Sequence, residues 1–191
     1  MIPEKEFKKR LIYRLNSKSE GWRDGDLDSS VGRKADVVND ALKIAVEIKD
    51  DTTFHFIHPD PGQIVTQTTN LSTKNRQLKN HIKDANEKFL NYPDYKTVVL
   101  IRTEMLTGTI DYTIDGPQTF GKIGGQLVYT GRPSTFWGHH DKSTSEVGGI
   151  LFWGDKCQYR INENPNTKPQ RILLADELSS LIGESLINES D

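Results

Sequence analysis

Early in the chain, Asp36, Glu47 and Lys49 have the types and the spacing to hold a divalent cation against a phosphate. They lie within GRKADVVNDALKIAVEIKDD, residues 32–51. Ala35 to Val38 and Ile44 to Ile48 are runs rich in β-branched residues, separated by Asn39, Asp40, Ala41 and Leu42, which predicts a β-hairpin. A loop centred on Ala41 and Leu42 sets residues whose numbers sum to 83 opposite each other, so Asp36 faces Glu47. Ile44, Val46 and Ile48 then point one way, and Ala45, Glu47 and Lys49 share the other face. Directly paired side chains stand about 4.5–5.5 Å apart at Cβ, close enough for two carboxylates to grip one hard cation. Like charges across a ladder are destabilising, and a cation reverses that sign. Oxygen-only ligation favours Mg²⁺, with Mn²⁺ as a substitute, over zinc. Such an ion on a phosphate acidifies a water and offsets developing charge, while Lys49 positions the nucleophile or neutralises the pentavalent state. The competing account is a solvated edge strand whose charges deter aggregation.

The triplet acidic-x-Lys is common, occurring at Glu6 to Lys8, at Glu47 to Lys49 and at Asp94 to Lys96. The first falls on a predicted helix, where residues two apart do not share a face. The last follows Pro93 in a literal Pro-Asp, but the strand after it brings Glu104 with Leu106 two places on instead of lysine. Only the middle triplet combines an apolar strand, a partner aspartate and the hairpin.

An Asp on one strand, a short hairpin and then Glu-x-Lys on the next (Asp36, Glu47, Ile48, Lys49) resembles the PD-(D/E)XK nucleases, which include restriction endonucleases and Holliday-junction resolvases. The resemblance covers residues 4 to about 103 by order of elements and three positions by motif. It implies a restriction-endonuclease-like core of about four strands flanked by helices, Asp36 and Glu47 as metal ligands, Lys49 in catalysis, and DNA as substrate. Ala35 stands where the family pattern has proline. Such proteins often add a glutamate from the first helix, for which Glu6 is the better candidate beside Glu4 and Glu20, and a glutamine after the Glu-x-Lys strand, supplied by Gln63 or Gln67. A homodimer is compatible as a way to cut both strands.

These residues need elements to position them. Phe7, Leu11, Ile12 and Leu15 recur at helical spacing over Glu4 to Leu15, and residues 16–34 read as an exposed loop. Gln63 to Leu90 contains neither Gly nor Pro and reads as one long helix, or two with a break near Ser72. Thr97 to Ile101 is a strand covered on both faces. After Thr107 the glycine-rich texture predicts a β-rich extension of the same sheet, with strands at Gln126 to Thr130 and Gly149 to Trp153. Leu173 to Ile187 is a last amphipathic helix beginning near the cap residue Asp176. The expected fold is α/β, a mixed central sheet flanked by helices, in one domain: core 1–105, extension 106–172, terminal helix 173–191.

A net charge of -2 gives no global attraction to nucleic acid, so a polyanion must meet local basic surface. Lys5, Lys8, Lys9, Arg10, Arg14 and Lys18 form one cluster, and Lys74, Arg76, Lys79 and Lys83 another, each equally readable as a solvated helix face. Lys9, Arg33, Lys34, Lys74 and Arg76 are the candidate phosphate contacts, with Arg102 and Arg132 further options. No apolar run approaches the roughly 20 residues that span a bilayer. A single cysteine, Cys157, and the lack of a secretory leader point to a reducing, cytoplasmic setting. Asp24, Asp26 and Asp28 imitate a calcium loop, but Ser29 stands where glycine is needed and Ala35 where the bidentate glutamate should be. His55, His58, His139, His140, Asp141 and Cys157 show no zinc-ligand spacing. Trp137, Phe152 and Trp153 read as core before they read as base-stacking platforms. The expected activity is Mg²⁺-dependent hydrolysis of DNA phosphodiesters without a small-molecule cofactor. The alternatives are a non-cleaving nucleic-acid-binding module of the same fold and a ribonuclease.

Overall fold

A computed structural model describes residues 2–27, 32–51, 71–103, 119–123, 126–131, 144–154 and 157–183. Helix α1 (Glu4–Asn16) precedes a three-stranded antiparallel meander of β1 (Trp22–Asp24), β2 (Val37–Asn39) and β3 (Ile44–Asp50). Helix α2 (Leu71–Phe89) leads to β4 (Lys96–Arg102), which lies parallel to β3. Strands β5 (Thr119–Ile123) and β6 (Gln126–Gly131) follow, then β7 (Gly149–Trp153), β8 (Gln158–Ile161) and α3 (Ala175–Ile182). The fold is α/β, with a six-stranded mixed sheet ordered β1-β2-β3-β4-β7-β8. Among the described residues, no helix is long and apolar enough to cross a membrane.

The sheet is covered on both faces because its central strands are apolar on both. Val98 and Leu100 of β4 join Phe7, Leu11 and Leu15 of α1 and Leu178 and Ile182 of α3 in one core. Val99 and Ile101 join Leu78, Ile82, Ala85 and Phe89 of α2 in the other. The buried positions of α2 recur every three or four residues, as an amphipathic helix requires. Its C-terminal end is held by Arg171, 1% exposed, which donates to the carbonyls of Tyr92, Tyr95 and Phe89 and pairs with Glu146. The bond to Phe89 reaches a carbonyl of the helix's last turn, and those to Tyr92 and Tyr95 tie down the turn that follows it.

Four expectations are corrected. The segment 16–34 is not all loop: Trp22–Asp24 forms an edge strand on β2, with Trp22 buried in the core. The hairpin's first strand begins at Val37, two residues after Ala35. The β-rich extension divides, since β7 and β8 continue the main sheet and enlarge it beyond four strands, whereas β5 and β6 pair with each other in a separate two-stranded sheet. The last helix is Ala175–Ile182, with Leu174 at its N-cap and Asp176 inside its first turn, and it stops at Gly183, whose left-handed φ of 70° suits glycine. Residues 52–70, 104–118, 132–143 and 184–191, with Gln63, Gln67, Glu104, Arg132, Trp137 and the histidines at 55, 58, 139 and 140, lie outside the described residues.

Candidate active site

The hairpin register is the one that the spacing predicts. Val37 pairs with Val46, Val38 with Ala45 and Asn39 with Ile44, and Asp36 directly precedes the outermost of these pairs on one strand as Glu47 follows it on the other. The connection between the strands is short, and Lys43 adopts φ 54° to close it. Oδ2 of Asp36 accepts a hydrogen bond from the Ile48 backbone N–H at 2.8 Å, which fixes the carboxylate against β3. The expected faces also hold, since Ile44, Val46 and Ile48 join the α1 side and Ala45 joins the α2 side.

Glu47 is only 1% exposed. Its Oε1 accepts from Lys49 at 2.9 Å and from Lys88 of α2, while its buried Oε2 has no hydrogen-bond partner among the described residues. Burial first, and then the Asp36 charge, push its carboxyl up to about 7 against the pull of both lysines. The Lys49 ammonium also pairs with Asp84 of α2. Burial would lower its pKa, but Glu47 and Asp84 outweigh that and hold it above its ordinary value. Asp84 is held below the usual carboxylate range, because its hydrogen bond with Lys49 and the nearby Lys49, Lys88 and Arg33 charges overcome burial.

A second charge cluster adjoins Asp36. Lys8 of α1 is buried and its Nζ lies 2.9 Å from Asp24, 2.7 Å from Asp26 and 3.9 Å from Asp36. Burial opposes its charge, yet hydrogen bonds to Asp26 and Asp24 hold its pKa well above the ordinary lysine value. The apparent calcium loop is therefore a lysine clamp in its described part, Asp28 lying outside the described residues. Gly25 sits between the two aspartates because a Cβ there would come 1.9 Å from the Ala35 carbonyl oxygen.

No known family model, characterised protein or solved structure matches the chain. The geometry must carry the reading.

Of the residues singled out from sequence, Glu47 and Lys49 touch, and Asp36 is bonded to the Ile48 backbone N–H between them. Glu6 instead takes an exposed pairing with Arg10 at 2.9 Å, two positions and more than half a turn from Lys8, the α1 residue that reaches Asp36. Gln67 lies outside the described residues. Arg33 pairs with Glu87, and Lys34 donates to the Asp26 carbonyl at 2.9 Å. Lys9 and Arg76 are exposed, and Lys74 is in the first turn of α2. Arg102 is 3% exposed and tied to Asp50, so it is not a surface phosphate contact. Sequence reasoning placed Lys8 only in a basic surface cluster, and it missed His81, Asp84 and Lys88. For the last three, the available signal was the polar stripe Gln77, His81, Asp84, Lys88 that runs beside the apolar one on α2.

The donors present suit a hard cation. Asp36 and Glu47 offer oxygen only, and Glu47 Oε2 is a buried acceptor with nothing to accept from. Among the described residues no group of three or more His, Cys, Asp or Glu forms a metal cage. Mg²⁺ accepts so sparse a set because it keeps several waters and takes substrate phosphate oxygens as ligands.

Proposed function

We propose that this chain is a divalent-metal-dependent nuclease with a restriction-endonuclease-like core, hydrolysing phosphodiester bonds of DNA in the cytoplasm. One observation carries the reading: a buried glutamate, one oxygen of which has no partner among the described residues, adjoins the Ile48 N–H that holds the Asp36 carboxylate, with an ion-paired lysine two residues on. Two acidic groups set against each other in a buried place are costly unless a cation joins them. Asp36 and Glu47 would hold Mg²⁺ or Mn²⁺, which supplies Lewis-acid stabilisation and an acidified water. Lys49 carries a permanent positive charge to the phosphate and offsets the charge that builds on its oxygens. Asp84 orients that ammonium from α2, and Lys88 helps keep Glu47 ionised. Lys9, Lys34 and Arg76 are the surface groups for the nucleic-acid backbone.

A second reading has its own support. Glu47 already has two lysines on one oxygen, so the cluster is partly neutralised by the protein itself, as a non-cleaving nucleic-acid-binding module would need.

The test incubates the protein with supercoiled plasmid, single-stranded DNA, branched DNA and RNA, in Mg²⁺, Mn²⁺ or chelator. Cleavage that needs the ion and disappears in Asp36→Asn and Lys49→Ala is the expected result. Salt-sensitive binding without cutting, the same with and without the ion, would establish the binding module instead.

A further inference from the structure

We propose that His81 is the proton-accepting residue of this centre, taking the proton of the water that attacks phosphorus. The proposal rests on the phosphodiesterase reading. Its first support is the way α2 lies on β3. Lys88 touches Glu47 and Asp84 touches Lys49, so four residues back along the helix match two residues forward along the strand. Those steps are both about 6 to 7 Å, so the helix runs antiparallel to the strand in steady register. One further turn back brings His81, on the same polar stripe, over the end of β3 beyond Lys49.

The second support is that the neighbouring lysines are already engaged. Lys49 lies between Glu47 and Asp84, which hold it as an ammonium, and Lys88 is ion-paired with Glu47. His81 is half-buried, and among the described residues its ring nitrogens have no hydrogen-bond partner. The charges facing it are Lys49, Asp50 and Asp51 from the β3 side and Asp84 from its own helix. Burial and then Lys49 keep it below the ordinary histidine value, against the three aspartates, so the ring is neutral at pH 7.

In the step itself, the water O–H bond breaks and its proton goes to the imidazole as the oxygen bonds to phosphorus. The bond from phosphorus to the leaving sugar oxygen breaks, that oxygen takes a proton from solvent, and the imidazolium returns its own to solvent.

The experiment compares wild type, His81→Ala and His81→Gln in single-turnover plasmid cleavage from pH 5.5 to 8.5, with and without added imidazole. The expected loss is about 100- to 10,000-fold. Imidazole should restore part of it in His81→Ala and none in Lys49→Ala, and the rising acidic limb of the wild-type profile should vanish in both histidine variants. In metal-free protein, NMR titration of the ring should give a midpoint below 6.5 that moves upward in Lys49→Met. Variants that cut within threefold of wild type, or a loss that imidazole does not relieve, would overturn the role of His81 and leave the nuclease standing. A wild type that cuts none of the substrates would bring down the nuclease reading and this one with it.

Discussion

The Ile48 backbone N–H donates to Oδ2 of Asp36 at 2.8 Å, so the residue that leads into β2 is fastened between Glu47 and Lys49 of β3. Asp36→Asn keeps an oxygen for that donor, whereas Asp36→Ala leaves a buried N–H unpaired at a cost of about 1–3 kcal/mol. Both variants should lose ion-dependent cleavage. In urea unfolding with chelator, only the alanine variant should be clearly less stable than wild type. Equal stability of all three would mean that the bond contributes nothing to the fold.

Glu47 makes metal-free stability depend on pH. Its carboxyl ionises near 4.5 in the unfolded chain and near 7 in the fold, so the fold binds the extra proton between those values. This contribution is therefore fully present below about pH 4.5 and is lost as the pH rises through 7. The difference amounts to about 3 kcal/mol, at 1.36 kcal/mol per pH unit. Glu47→Gln should gain on wild type by that order between pH 4.5 and 8, as measured by chemical denaturation. A constant difference across the range contradicts the assignment.

Lys88 supports the ionised form of Glu47 from α2. With Lys88→Met, the carboxylate loses that support, and the variant should be about 1–3 kcal/mol less stable at pH 8 but close to wild type at pH 4.5. An equal deficit at both values would assign Lys88 a packing role alone.

Lys8→Met leaves Asp24, Asp26 and Asp36 facing one another without a cation. Asp26 is largely exposed, so solvent limits the effect to about 1 kcal/mol at pH 7. The hydrogen bond and charge of Lys8 hold Asp26 below 3.8, a contribution present above that value and lost as the pH falls through the lowered one. The deficit should therefore shrink in acid, and thermal unfolding at pH 7 and pH 3 would detect it. A deficit unchanged in acid would trace to the lysine stem instead.

The acidic pair was legible because a strand alternates strictly, so one assumed turn fixed both the register and the faces, and β3 obeys them. The partners that α2 brings to that pair and to Lys49 were not. Asp84 lies 35 residues from Lys49, and Lys88 lies 41 from Glu47, so their meeting depends on where α2 crosses the sheet. Periodicity shows which stripe of a helix is apolar but not which strand its polar flank overhangs. The strand Trp22–Asp24 is too short to show alternation, and its Gly- and Asp-rich surroundings read as loop. Glu6 was preferred to Glu4 and Glu20 because the resemblance directs the choice to a first-helix glutamate, whereas the α1 side chain that reaches Asp36 is the buried Lys8.

The four-residue connection from Asp40 to Lys43 has a further consequence for the order of assembly. Local contacts form early and distant ones late, so the two carboxylates come into apposition well before α2 can reach them. Until then Lys49 alone offsets the charge from within the hairpin, and docking of α2 buries the pair and adds Lys88. A partly folded chain would thus hold its acidic pair without the second lysine and without the Asp84 that orients the first.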